Sequence, residues 1–544
     1  MDYNIDELES LSAFELKDVL FEIAKGSTVP KKILNAGRGN PNFLSTVARD
    51  AFVQLMLFAI SESKQSSAYL STDVGGFPTS EGIEGRFQFF LHENKDVNGI
   101  DFLRGVIFYV RDQLNFNVTE FLVEMCEGIL GINYPVPDRM LLYAEKIVGH
   151  YIRKEMTGPQ SFNNEFDLFA VEGGTGAMTC IFDSFRTNHL LKPGDKIALG
   201  VPIFTPYLEI PKLTDYQLEV VHICADKDQM WQYPKTELNK LLNPEIKAFF
   251  LINPSNPASV KLNDESLDYI ASIVAKRSDL IIITDDVYAT FADQFVSLFA
   301  RCPRNTILVY SYSKYFGATG WRLGVIGIHR DNVLDEQIAI LDAQKRDELH
   351  NRYKSIVTDP KSLKFIDRLV ADSRSIALNH TAGLSTPQQV QMVLFSLFAL
   401  MDTSDSYKMT LKKLIRARKR ALYRGIGINF GDNEENGNDV GYYTILDLEL
   451  LRERIYGQQF ANHFLSNTKV IEFLVRLARE QRVILLPGHS FGVIYPSVRV
   501  SFANLNEADY ENIGQSIRTV MKNYFVHINA ETSNKPLSNS IVAE

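Results

Sequence analysis

Cysteine is scarce in this chain: four in 544 residues. Cys126, Cys180, Cys224 and Cys302 are scattered and lack metal-ligand spacing. Neither a disulfide framework nor a metal is expected from them, and a reducing cytoplasm is the compartment they suit. No apolar run reaches the roughly 18 residues of a membrane span, and the acidic N-terminus is not that of a signal peptide. Positive charge is not in excess either. The formal net charge is −9 at pH 7, which argues against a nucleic-acid partner. The one basic run, Lys412, Lys413, Arg416, Arg418, Lys419 and Arg420, falls in a helical pattern and reads as a solvated face. There is no internal repeat.

What is present is ordinary in bulk, with 45% apolar and 23% charged residues, and long enough for two or three domains. Ser12 and Glu15 form a capping box ahead of a helix that runs to about Lys25. Residues 60–160 are mainly helical in pattern. From about 167 the pattern changes to short apolar strands alternating with helices: 168–171, 196–200, 248–252, 280–284, 306–310 and 324–328. Such runs predict a mainly parallel sheet covered on both faces, an α/β architecture. A second charged helical stretch covers 331–380. Beyond it, segments 442–446, 483–486 and 497–502 suggest a smaller α+β domain. The expected division is an N-terminal arm with part of the small domain (1–60), a large domain with helical insertions (61–385), a C-terminal small domain (386–533) and a frayed tail (534–544).

The unusual residues cluster at predicted strand ends, where parallel α/β sheets bind ligands. After 168–171 comes Gly173-Gly174-Thr175-Gly176, a turn into a helix that suits a phosphate. Strand 248–252 ends in Asn253-Pro254-Ser255-Asn256-Pro257, a rigid turn able to aim Asn256 inward. Strand 280–284 ends in Asp285 and Tyr288; a carboxylate there needs a positive partner. Strand 306–310 delivers Ser311, Ser313 and Lys314, with Arg322 eight residues later. A lysine in that setting can form a Schiff base while hydroxyls and an arginine hold a phosphate. Together these residues describe a pyridoxal 5′-phosphate site.

The set Gly174-Thr175, Asn253-Pro254-x-Asn256-Pro257, Asp285-x-x-Tyr288, Ser311-x-Ser313-Lys314 and Arg322 resembles the fold-type I aminotransferase family. The resemblance implies that Lys314 carries the cofactor and that Asp285 pairs with its ring nitrogen. Asn256 and Tyr288 would bond the ring oxygen, and Gly174, Thr175, Ser311, Ser313 and Arg322 the phosphate. Phe204 would stack on the ring. Tyr134 would reach the phosphate of a neighbouring subunit, making the active unit at least a dimer. Arg499, in Val498-Arg499-Val500-Ser501-Phe502, would bind the substrate α-carboxylate, and Gly39 would let the backbone approach the substrate.

The chain is longer than that family's usual length, and its insertions and the loop 36–42 with Arg38 resemble the aspartate 4-decarboxylases within it. The resemblance implies L-aspartate going to L-alanine and carbon dioxide, with transamination as a side reaction. Arg38 and His380 are the candidates for the distal carboxylate, and Arg374 could fill the place of an aminotransferase's distal arginine. A plain aspartate or other amino-acid aminotransferase is the alternative reading. A cofactor-sensing regulator is a remote one, since no basic helix-turn-helix precedes residue 160.

Overall fold

The capping box forms as expected. Ser12 Oγ accepts from the Glu15 N–H and the Ser12 N–H donates to Glu15 Oε2, starting a helix at Ala13–Lys25. It leads to a two-residue strand, β1 (Leu34–Asn35). The computed structural model describes residues 4–70, 73–158, 165–355, 357–374, 383–428, 437–457 and 469–533. The expected frayed tail, 534–544, lies outside them.

The apolar runs between 166 and 329 become one seven-stranded sheet: β2 (Phe166–Glu172), β3 (Lys196–Val201), β4 (Glu219–Cys224), β5 (Ile246–Ile252), β6 (Ile281–Asp285), β7 (Thr306–Ser311) and β8 (Leu323–His329). The order is β2-β8-β7-β6-β5-β3-β4. Pairs β3–β4, β3–β5, β5–β6 and β6–β7 are parallel, whereas β8 is antiparallel to both its neighbours. Every residue of β6 and β7 is buried, as expected of central strands covered on both faces. Strand β4 escapes the sequence pattern because it is an edge strand, and most of its residues are exposed or half-exposed.

A second sheet is built from β9 (Tyr443–Asp447), β11 (Leu486–Pro487) and β12 (Ser497–Ser501), antiparallel in the order β11-β12-β9; β10 (Val483–Ile484) pairs with β1 in parallel. The N-terminal segment is therefore stitched to the C-terminal part of the chain. From there, Ala36 O accepts from the Ser501 N–H and the Asn42 N–H donates to Ala503 O, fixing both ends of the loop 36–42.

The basic run at 412–420 meets the expectation of a solvated face only in part: Lys413, Arg416 and Arg420 are exposed and the other three are not. On the helix Ser406–Ile426, Lys412, Arg418 and Lys419 are buried. Lys412 pairs with Asp293 and Lys419 with Asp439. Arg418 donates to Phe502 O, Ala503 O and Asn42 Oδ1, which makes it a cross-brace for the loop 36–42. Sequence periodicity places charges on a face but does not say which face meets the rest of the protein. Among the described residues no helix is long and apolar enough to cross a membrane, and no group of acidic, histidine and cysteine side chains could hold a metal.

Candidate active site

A pocket of about 280 Å³ opens at the carboxyl ends of the central strands. Because β8 runs against its neighbours, the residue just before it, Arg322, arrives at the same sheet edge as the residues that come after β2 and β7. Arg322 adopts φ 55° and Gly173 φ 74°. A Cβ on Gly173 would lie 2.4 Å from Arg322 Nη2 and would push the guanidinium aside, and the positive φ itself favours glycine there. The helix Gly173–Thr187 starts here without a side-chain cap, leaving its first N–H groups available to an anion. Ser311 Oγ donates to Ser313 Oγ at 2.9 Å beside them. Arg322 donates only to the backbone oxygens of Thr319 and Glu172 and meets no carboxylate among the described residues. Two hydroxyls, a helix start and a cation without a counter-charge suit a phosphate.

Asp285 ends β6 and is buried. Tyr207 donates to its Oδ2 at 2.7 Å and the Val287 N–H to its Oδ1 at 3.2 Å. Burial pushes its carboxyl up to about 6, opposed by the Tyr207 and Val287 hydrogen bonds and by the charge of Lys314. A cation set against it would restore the ionised form. Lys314 reaches across from the end of β7, its Nζ 3.2 Å from Gly39 O. Phe204 lines the pocket edge-on to Phe14, ring centroids 5.9 Å apart.

Arg499 is 4% exposed. It donates to Gly37 O at 2.6 Å and Asn256 Oδ1 at 3.3 Å, and its Nε has no partner. Its guanidinium lies 4.4 Å from the Phe491 ring centroid and 4.7 Å from that of Tyr443. No carboxylate among the described residues pairs with it, and burial lowers its pKa. A buried cation without an anion is costly, and an entering carboxylate would remove that cost. Asn256, Tyr288, Gly39 and Arg38 also line the pocket, with Arg38 exposed.

Not every expected residue is brought here. Tyr134 is 61% exposed and does not line its own chain's pocket. Arg374 is buried against Asp138, 3.1 Å from Oδ2, rather than in the pocket. His380 lies outside the described residues. Conversely, Phe14, Lys17, Tyr207 and Tyr443 line the pocket without having stood out in the sequence. Tyr207 lies on the short helix Thr205–Glu209, whose N-cap is Phe204, so one turn brings both to the pocket. Tyr443 has no local signal. Its hydroxyl is 2.8 Å from that of Tyr288, and it would lie 2.2 Å from a Cβ on Gly39. Gly39→Ala is therefore expected to displace Tyr443 or the loop and to weaken substrate binding at least tenfold. Unchanged affinity in an equilibrium titration would show that the contact is loose.

A pyridine ring bearing a phosphate, an aldehyde and a ring nitrogen fits this donor set: the phosphate at Arg322, the ring nitrogen at Asp285 and the aldehyde at Lys314.

Comparison with known proteins gives the same family. The profile of "Aminotransferase class I and II" matches residues 170–517. A Pseudomonas protein named "Bifunctional aspartate aminotransferase and L-aspartate beta-decarboxylase" is 55% identical over 94% of this chain and 96% of its own length. An aspartate aminotransferase of Pinus pinaster is 30% identical over 28% of this chain and 31% of its own length. In fold, a single mutant of Thermus thermophilus aspartate aminotransferase superposes with a TM-score of 0.59 at 15% identity, covering 96% of this chain and 99% of that one. By profile, by near full-length identity and by fold, this chain belongs to the class I and II aminotransferases, enzymes of pyridoxal 5′-phosphate.

Proposed function

We propose that the protein converts L-aspartate to L-alanine and carbon dioxide, with aspartate transamination as a side activity. One observation carries this. The 55% identity to the bifunctional Pseudomonas enzyme runs over 94% of the chain, well beyond the profile's 170–517, and so takes in the N-terminal insertion.

Bound pyridoxal phosphate supplies an electrophilic aldehyde and a protonated ring that takes up electron density. In our reading Ser311, Ser313, Arg322 and the start of the helix at Gly173, with Gly174 and Thr175, hold its phosphate. Asp285 keeps the ring nitrogen protonated, with Tyr207 fixing the carboxylate. Asn256 and Tyr288 bond the ring hydroxyl, and Phe204 packs against the ring. Lys314 first holds the cofactor and, once the substrate amine displaces it, removes the α-proton. Arg499 grips the α-carboxylate through its planar fork.

The distal carboxylate decides between the two reactions. A strong clamp stabilises an ionised carboxylate and not the departing neutral product, so it raises the barrier to carbon dioxide loss. The arginine that could have formed such a clamp, Arg374, is engaged with Asp138. Arg38 stands exposed at the pocket mouth, where solvent weakens its hold. We assign the distal contact to Arg38 or His380. A weak contact there favours decarboxylation.

Arg499→Ala is expected to weaken L-aspartate and L-alanine alike, by about 2–4 kcal/mol if a desolvated bidentate pair is lost. Arg38→Ala should alter the ratio of decarboxylation to transamination and leave alanine affinity within about threefold. An alanine titration separates them: a large loss for Arg38→Ala with none for Arg499→Ala would exchange the two carboxylate assignments.

The working unit in this reading is a homo-oligomer, at least a dimer. Supporting it are the exposed Tyr134 and an exposed apolar face on the helix Val47–Ser66 formed by Val53, Leu57 and Ile60, the kind of surface that marks an interface. Light scattering giving the mass of one chain would contradict it. The four cysteines are unpaired, which suits a cytoplasmic location. The domain division at about residues 60 and 385 is likewise our reading.

A further inference from the structure

We propose that Tyr443 is a second proton-bearing catalytic residue, the one that protonates the substrate β-carbon when carbon dioxide leaves. The inference rests on the decarboxylase reading above. Turning aspartate into alanine replaces the bond from the β-carbon to its carboxylate by a C–H bond. The electron pair of the broken C–C bond ends in that new bond, and one proton has to be delivered to the β-carbon. Lys314 serves the α-carbon, one bond away.

Two contacts place the Tyr443 hydroxyl for the second delivery. In the register of β9 and β12, Tyr443 faces Ser501 and Ile445 faces Arg499. Residues 443 and 445 share a face, so Tyr443 and Arg499 are diagonal neighbours on one side of the small sheet. Its ring accordingly packs on the Arg499 guanidinium, 4.7 Å from the centroid. Its hydroxyl and Lys314 Nζ both crowd the same face of Gly39, at 2.2 Å and 3.5 Å from the point a Cβ would occupy. A substrate held by its α-carboxylate at Arg499, with its nitrogen where Lys314 Nζ now ends, has its α- and β-carbons beside this phenol. Tyr443 lines the pocket and is 3% exposed, so bulk water does not compete well for the task.

The step balances without a further reactant. The Tyr443 O–H bond breaks, its proton joins the β-carbon, and carbon dioxide departs neutral. The phenolate left behind sits against the Arg499 cation and accepts a hydrogen bond from Tyr288, 2.8 Å away. It then takes a proton back from water before the next turnover. Removing the hydroxyl should cost what a positioned general acid contributes, about 10²–10⁴-fold.

The test is Tyr443→Phe in the full-length holoenzyme, read three ways. Alanine and carbon dioxide formation from L-aspartate is expected to fall at least about a hundredfold. Exchange of the α-hydrogen of L-alanine in deuterium oxide, and alanine affinity from titration of the cofactor absorbance, are expected to stay within about threefold. An equal loss of α-exchange and decarboxylation would overturn the proposal, because Tyr443 would then only position Tyr288 and Lys314. Decarboxylation within threefold of wild type would overturn it as well. Retained α-exchange and alanine binding in Tyr443→Phe show that the variant is folded, so a loss confined to decarboxylation reports the role of the hydroxyl itself. Wild-type enzyme run alongside separates the two claims: no carbon dioxide from it would bring down the parent reading rather than the role of Tyr443.

Discussion

Lys314→Ala is expected to abolish every turnover of the enzyme and the absorbance of its lysine-bound cofactor. Two lysines, Lys17 and Lys314, line the pocket, and the geometry distinguishes them. Lys17 stands on the N-terminal helix and pairs with Asp18 at 3.0 Å. Lys314 comes just after the fully buried strand β7 and extends through the pocket to Gly39 O. Its ammonium also bears on Asp285, the group assigned to the far side of the ring. Of the two, only Lys314 acts on the buried Asp285 carboxylate. Borohydride reduction of the wild type and subsequent peptide mapping should put the cofactor on Lys314. A reducible linkage that persists in Lys314→Ala would end the assignment.

Asp285→Ala should leave cofactor attachment possible and slow α-proton removal by about a hundredfold or more, a barrier increase of roughly 2.7 kcal/mol. The physical reason is the charge at a buried strand end. Without a cation beside it, burial holds the Asp285 carboxyl up at about 6, above its ordinary 3.8. A protonated ring nitrogen favours the ionised form and so lowers this pKa when it binds; the affinity gained is full above about pH 6 and is lost as the pH falls below it towards the lowered value. Cofactor affinity of the wild type is thus expected to fall on acidification below pH 6, and this component should vanish in Asp285→Ala. Turnover within threefold of wild type in that variant would contradict the ring-nitrogen role.

How far the sequence reaches depends on the kind of contact. The pocket-lining residues after β2, β5, β6 and β7 were legible because short apolar runs announce buried strands, and the carboxyl ends of strands in a parallel sheet are where such folds place a pocket. Arg322 was legible from its spacing to Lys314, although the reversal of β8 that brings it home was not. Tyr207 and Tyr443 are of another kind. Their partners, Asp285 and Tyr288, lie 78 and 155 residues away, and a tyrosine in an apolar strand reads as core until the pairing of sheets is known. The basic helix at 406–426 shows the same limit, since Lys412, Arg418 and Lys419 are buried against carboxylates and carbonyls that no local pattern reveals.

The central claim is that this pocket removes the distal carboxylate of aspartate. The direct measurement is incubation of the holoenzyme with L-aspartate labelled only at that carboxylate, without any added keto acid. The account predicts labelled carbon dioxide and unlabelled L-alanine in equal amounts over many turnovers. Label retained in a keto acid, formed once per active site and then stopping, would show a simple aminotransferase and contradict it.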